Sequence, residues 1–346
     1  MVRLVGMPNE GDRKTTALAR YANRVKSATS RNKIGVTYVP FNTKVCGITQ
    51  TVRDLIIRPV HDLFKSGRNA DVTHIVYEFG AIYLPFIFGR SVVTFHHVVT
   101  KEEKNKTVWF LIWRVAARMA VVRADKIIAV SSQTRDEILE KYQVPEDKVV
   151  AILTPQSEEF RVLPEIRKER WFGCMGTLEE RKNHAAAMRV FSGIISDDRH
   201  SDFKLFILGK GPLKDELVKY AEELGISDRT EFISGLSSEE MTEFYNRCFL
   251  MLNTSGHEGI GMVTLEAQAC GTPVLYFREA RIPEEVTVAA VPCTDEDDMV
   301  IKAAELISDE MQYEDVRRKG IEYVSRLDED FDSKLTDIYY SICERK

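Results

Sequence analysis

A chain of 346 residues, 44% hydrophobic and 29% charged, is too long for one ordinary core and suits two α/β domains of roughly 150 to 200 residues each. Its 48 Lys plus Arg stand against 53 Asp plus Glu, a net charge of −5 that argues against a generic nucleic-acid binder. Six cysteines (Cys46, Cys174, Cys248, Cys270, Cys293, Cys343) are spread singly without metal-ligand or redox spacing, which points to a reduced, cytoplasmic protein in which most are small buried hydrophobes.

The opening run from Met1 to Gly6 is too short for a signal peptide and reads as a first strand entering a Gly turn. From Arg13 to Lys33 there are seven basic residues and no acidic one, and Arg13, Arg20, Arg24 and Arg31 fall on one stripe of a helix, away from Leu18, Tyr21, Ala22 and Val25. Two readings stand side by side: contact with an anionic membrane surface or a phosphorylated, lipid-linked acceptor, or a solvated helix face. Further strands are predicted at Lys33 to Val39, Thr73 to Glu78, Ser91 to Phe95, Lys126 to Val130 and Lys148 to Ile152, with helices between. The longest apolar stretch, Val108 to Val122, is interrupted by Arg114 and Arg118 and falls short of the roughly 18 to 20 residues that span a bilayer. The sequons at Asn105 and Asn253 read as chance matches.

A lapse in the pattern predicts a linker at 154–169, separating a first domain (1–153) from a second (170–330). The second series of strands runs Trp171 to Met175, Lys204 to Leu208, Thr230 to Ile233, Leu250 to Leu252, Pro273 to Phe277 and Thr287 to Val291. Helical patterns alternate with them around His184 to Ile195, Pro212 to Leu224, Ser238 to Arg247, Gly261 to Ala269 and Asp297 to Ile307. Leu335, Ile338, Tyr339 and Ile342 give a last helix (331–346) an apolar face able to pack back on the first domain. Strand–helix alternation throughout predicts two doubly wound, Rossmann-like sheets, which bind ligands beyond the carboxyl ends of their strands, here across a deep cleft.

The richest segment for chemistry is 253–274, a strand, a Gly-rich loop, a helix, a Gly stop and a strand. Gly259 and Gly261 let backbone approach a ligand closely, and the helix beginning after Ile260 with Met262 and Val263 offers amide groups and a positive dipole end to a diphosphate. Glu258 precedes that helix and Glu266 lies about a turn inside it, suited to accept hydrogen bonds from sugar and ribose hydroxyls. Gly176 to Asn183 follows another strand and sets Arg181 and Lys182 where a departing diphosphate needs positive charge. Gly209-Lys210-Gly211-Pro212 joins a strand to a helix, and Thr94-Phe95-His96-His97 closes a strand of the first domain. Asp295-Glu296-Asp297 and Asp328-Glu329-Asp330 spell an Asp-x-Asp metal motif but read more simply as helix starts or exposed charge.

These segments together resemble the retaining family-4 glycosyltransferases of the GT-B fold, marked by two Glu separated by seven residues, here Glu258 and Glu266. The resemblance implies a metal-independent transfer of a hexose-type sugar from a UDP-, GDP- or ADP-sugar to a glycan or lipid-linked hydroxyl, with no cofactor. It implies that Glu258 and His96 approach the donor sugar and that Glu266 holds the ribose. Arg181 and Lys182 would stabilise the diphosphate, while Gly209, Gly211 and the 259–263 turn line the nucleotide. Three departures stand out: Thr177 where many members carry Arg, His97 where Asp is usual, and Gly6 and Gly11 set apart rather than adjacent. A non-catalytic nucleotide-binding subunit and a nucleotide-sugar epimerase or hydrolase are the competing readings on the same fold.

Overall fold

The computed structural model describes residues 1–7, 17–40, 60, 61, 63, 70–96, 98, 108–156 and 158–344. Arg13, Gly11, Cys46, His97 and Asn105 lie outside the described residues. The chain divides into two compact units: Met1–Thr154 with Asp328–Lys346, and Pro155–Leu327.

The first unit holds a six-stranded parallel sheet ordered β2-β1-β3-β4-β5-β6, with β1 at Val2–Met7, β2 at Val36–Pro40, β3 at Val72–Ile75, β4 at Arg90–Phe95, β5 at Lys126–Ala129 and β6 at Val149–Ala151. Among the described residues its longer helices are α1 (Ala17–Arg31), α2 (Val108–Arg123) and α3 (Ser132–Tyr142). β3, β4 and β5 are almost continuous runs of buried residues, as strands covered on both faces must be. Two predicted boundaries move. The second strand begins at Val36 because Lys33 takes a left-handed φ of 55°, closing α1. The third ends at Ile75, and Glu78–Phe86 winds into a 3-10 helix instead; Gly80 folds back so closely that a Cβ there would meet Ile75 Cγ2 at 2.7 Å.

The second unit repeats the design with order β12-β11-β10-β7-β8-β9, again wholly parallel. Its strands are β7 (Trp171–Met175), β8 (Lys204–Leu208), β9 (Thr230–Ile233), β10 (Leu250–Asn253), β11 (Val274–Phe277) and β12 (Val291–Cys293). The helices are α4 (His184–Ile195), α5 (Lys214–Glu223), α6 (Ser238–Arg247), α7 (Met262–Ala269), α8 (Glu284–Thr287), α9 (Glu296–Ser308) and the first part of α10 (Glu310–Glu344), which from Asp328 onward belongs to the first unit. The predicted strand at Thr287 to Val291 is replaced by the α8 turn and a later strand. Pro283 precedes that turn and Glu284 and Glu285 occupy its start, where the helix dipole favours them, while Pro292 is confined to the edge strand β12. The segment before β7 is bonded to this unit: Leu163 N donates to Asn246 Oδ1, and Asn246 Nδ2 to Arg161 O.

The two Asp-x-Asp sequences part company. Asp295 accepts the Asp298 N–H and caps α9, as a helix start should. Asp328 lies inside α10 and forms an ion pair with Arg24, so it is neither a helix start nor mere surface charge.

The basic stripe of α1 needs the same correction. Arg24 is buried and its guanidinium lies 3.0 Å from both Asp328 and Asp332, above the ring of Phe331; Arg31 forms a two-pronged contact with Asp332. At these two positions the stripe faces the C-terminal part of α10, whose Leu335, Ile338, Tyr339 and Ile342 are buried. At Arg24 it is therefore an internal seam, whereas Arg31 stays exposed beside Asp332.

Candidate functional site

In the second sheet, β8 and β9 extend to one side of β7, while β10, β11 and β12 extend to the other. The strand order thus reverses between β7 and β10, and the loops leaving those two neighbours open the crevice where doubly wound sheets bind ligands. Gly176 to Asn183 follows β7, and Thr254 to Gly261 follows β10.

Backbone and side-chain hydrogen bonds lace these loops together. Thr254 Oγ1 donates to Asn183 O at 2.9 Å, Gly256 N to Arg181 O at 2.9 Å, Arg281 N to Gly256 O and Glu258 N to Arg281 O, each at 2.9 Å. Asn253 Nδ2 donates to Thr264 Oγ1 at 3.0 Å, tying the end of β10 to α7; its burial also rules out the sequon as a modification site. The consequence is a fixed seat for Glu258, only 8% exposed.

Lys182 Nζ lies 2.5 Å from Glu258 Oε1, with both side chains about a tenth exposed, and Arg181 Nη1 lies 3.8 Å from Glu258 Oε2. The structure therefore brings three of the four predicted catalytic residues into one ionic cluster. Gly176 packs over the lysine stem so tightly that a Cβ would meet Lys182 Cδ at 2.9 Å, which holds the ammonium on the carboxylate. Thr177 is exposed, and beneath it His184 bridges Cys174 Sγ (3.1 Å) and Thr177 O (3.3 Å). Burial pushes the Cys174 thiol up to about 12, so this pair is packing under the loop rather than a nucleophile.

Gly209 and Gly211 lie at the end of β8, and close approach makes them necessary. A Cβ at Gly209 would meet Gly176 O at 1.8 Å, and one at Gly211 would meet the Leu178 backbone at 2.4 to 2.7 Å. Their contribution is to let the β8 loop buttress the Arg181–Lys182 loop, through Leu178 N to Lys210 O and Leu213 N to Leu178 O. Gly261 stands at the N-cap of α7 with φ 80°, so it supplies no capping side chain and no acidic residue follows in the first turn. Ile260, Met262 and Val263 are half-buried beside it. Glu266 is 1% exposed and accepts the Tyr245 hydroxyl at 3.0 Å. Tyr245, on α6, carries no motif that would single it out from sequence.

His96 belongs to the first unit. Its backbone N–H donates to Glu78 Oε2 at 3.2 Å, its Nε2 lies 2.9 Å from Val76 O, and Tyr21 meets its ring edge-on at 4.8 Å. Behind it runs a buried chain that the sequence did not announce. Tyr21 Oη lies 2.8 Å from Thr94 Oγ1, Thr94 Oγ1 is 2.8 Å from His74 Nε2, and His74 Nδ1 is 2.7 Å from Tyr339 Oη. Burial lowers His74 to about 3 and raises Glu78 to about 7.

Two parallel six-stranded sheets, the second with an anion-suited loop pair at its switch point, are the architecture of the GT-B fold class. HepE of Anabaena, in complex with UDP and glucose, superposes with a TM-score of 0.72 at 14% identity, covering 99% of this chain and all 100% of that one. WaaG, a glycosyltransferase involved in lipopolysaccharide biosynthesis, gives 0.65 at 14% identity, over 98% and 99%. The sequence model for glycosyl transferases group 1 matches residues 155–323, and that for glycosyltransferase family 4 matches 24–155. The chain belongs to this glycosyltransferase family. It is similar to O-antigen chain mannosyltransferase B of Escherichia coli, 24% identical over 66% of this chain and 64% of that protein. It is also similar to D-inositol 3-phosphate glycosyltransferase of Corynebacterium jeikeium, 29% identical over 49% and 45%. The match thus spans less than two thirds of the length of these curated relatives.

Proposed function

We propose that the chain transfers a hexose-type sugar from a nucleoside-diphosphate sugar to a hydroxyl of a glycan or lipid-linked acceptor, with retention of configuration and without a divalent metal. The observation that carries this reading is the Lys182–Glu258–Arg181 cluster at the switch point, beside the glycine-capped start of α7. A diphosphate at that helix start draws Arg181 and Lys182 onto its oxygens, and the helix dipole adds to their effect. Glu258, relieved of its cations, accepts hydroxyl hydrogens of the donor sugar, and Glu266 accepts those of the ribose. His96 keeps the donor-sugar role that the family resemblance assigns it. As the bond from the anomeric carbon to the leaving phosphate oxygen breaks, the acceptor oxygen bonds to that carbon on the same face. The acceptor proton passes to the leaving phosphate. Structural relatives with UDP or UDP-glucose bound and a relative named as a GDP-mannose-dependent mannosyltransferase support a UDP- or GDP-linked hexose, with an ADP-sugar as the third candidate.

The test is calorimetry and nucleotide release with UDP-, GDP- and ADP-sugars in the presence of EDTA, comparing wild type with Lys182→Met and Glu266→Ala. Binding of one donor that both substitutions weaken supports the reading. Binding without turnover under any acceptor moves the non-catalytic reading ahead, and donor consumption without a glycosylated product favours the epimerase or hydrolase.

A further inference from the structure

Tyr245 is fully buried in the last turn of α6, and its hydroxyl reaches both strands of the switch point. The oxygen lies 3.0 Å from Glu266 Oε2 on α7 and 3.1 Å from Sδ of Met175, which ends β7 just before the loop of Arg181 and Lys182. A phenol carries one hydrogen, and a carboxylate accepts it far better than a thioether, so the hydrogen bond belongs to Glu266. The rest of the residue is pinned. Its carbonyl accepts from Thr272 Oγ1 at 2.5 Å and from Lys168 Nζ at 3.2 Å, and Phe160 meets its ring edge-on at 5.8 Å. The next residue, Asn246, is bonded to the backbone of Arg161 and Leu163.

Packing accounts for the ring and not for its hydroxyl. A phenylalanine would fill the same space against Phe160 and Phe244, and a hydroxyl taken out of water costs free energy unless a partner repays it. That partner is a carboxylate only 1% exposed, which itself needs a donor on the protein side. Torsion about the last bond of a glutamate is broad and roughly two-fold, so a fixed donor at one oxygen selects the plane of the group. About four lone-pair sites belong to a carboxylate, and one phenol hydrogen leaves acceptor capacity for a pair of adjacent hydroxyls.

We propose that Tyr245 is a positioning residue for nucleotide recognition: its hydroxyl fixes the Glu266 carboxylate to receive the 2′,3′-diol of a ribose, and so sets the preference of the site for ribonucleotides over deoxyribonucleotides. The inference rests on the ribose role given to Glu266 above and goes beyond it. The selectivity comes from a second helix, through a residue 21 positions earlier in the chain that touches no part of the donor. Thr272 and Lys168 serve the same end one step further back, by holding the Tyr245 carbonyl.

The experiment is calorimetry of the full chain with UDP, GDP and ADP and with the 2′-deoxy and 3′-deoxy form of each. Wild type binds its preferred ribonucleotide roughly tenfold more tightly than either deoxy form, the loss expected for one hydrogen bond to a charged group. Tyr245→Phe, which keeps the ring, weakens the ribonucleotide by about tenfold and leaves the deoxy forms as they were, so the gap closes. Glu266→Ala closes it too, and the double variant goes no further, because the two side chains act as one unit. A merely structural role for Tyr245 would weaken all forms alike, and that result overturns the proposal. So does a gap that survives Tyr245→Phe while Glu266→Ala closes it, an outcome that leaves the ribose role of Glu266 standing. If wild type shows no gap, or Glu266→Ala keeps it, the ribose role itself fails and this inference falls with it.

Discussion

The loops at the switch point of the second sheet and the strand end around His96 in the first are built on opposite principles. Around Glu258 the charged side chains reach solvent at Arg181, while Lys182 and Glu258 are about a tenth exposed, and main-chain bonds between neighbouring loops hold them in place. Around His96 the polar groups are sealed in, linked side chain to side chain from Tyr21 through Thr94 and His74 to Tyr339. The first arrangement can exchange its internal ion pairs for a ligand's oxygens. The second has no such freedom, and its chemistry is to hold neutral forms of groups that water would ionise.

The largest expected effect breaks the first arrangement. Glu258→Gln should lower kcat by about 10²- to 10³-fold in a nucleotide-release assay, in keeping with loss of a preorganised polar group at the reacting centre. Lys182→Met should cost as much or more, because it also strands the buried Glu258 carboxylate. A double-mutant cycle, with both rates measured, separates the two: if Lys182 acts only through Glu258, the double variant is no worse than the worse single one. Next in size is Arg24→Met in the seam between α1 and α10, expected to destabilise by about 2–3 kcal/mol in urea unfolding, since its two aspartates are partly exposed. Gly211→Ala should cost about 1–3 kcal/mol by pressing on the Leu178 backbone, and it should also weaken donor binding by shifting the loop that carries Arg181 and Lys182.

The smallest effect sharpens the second arrangement through pH. Glu78 is raised in the folded protein to about 7 from 4.5, so the stability it contributes is fully present below the lower value and is lost as pH rises through the higher. Glu78→Gln should match wild type in melting temperature near pH 5 and exceed it at pH 8. His74, lowered to about 3 from 6.5, has the opposite sign: its contribution is present above 6.5 and lost as pH falls toward 3. A flat difference between Glu78→Gln and wild type across pH 5 to 8 would show that the carboxyl is not held in its neutral form.

The fold was legible because nearly every strand is an apolar run bounded by Gly, Pro or charge, and two parallel sheets follow from that alternation. The ionic cluster was legible only in part. Arg181, Lys182 and Glu258 stand out by motif, but their mutual contact depends on two strands that are neighbours in space and about 75 residues apart in sequence. Gly209 and Gly211 were read as nucleotide-facing; their close contact with the 176–178 backbone is a second demand on these positions that no sequence signal showed. Tyr245, Glu78 and His74 left no trace, since a buried polar residue in an apolar run is recognisable only once its partner is known. The α1 stripe was legible only in part for a related reason: helical periodicity reports which side chains share a face, not that Asp328 and Asp332 cover Arg24.

The unit boundary inside α10 carries a consequence for how the chain is made. Unit 1 is completed by residues after Leu327, which supply Tyr339 to His74 and Asp328 and Asp332 to Arg24, so the whole of Pro155–Leu327 must leave the ribosome before the first sheet gains its last partners. Such long-range closure slows folding and prolongs exposure of apolar surface. A fragment ending at Thr154 would therefore be expected to aggregate, and adding residues 328–346 as a separate peptide should rescue it.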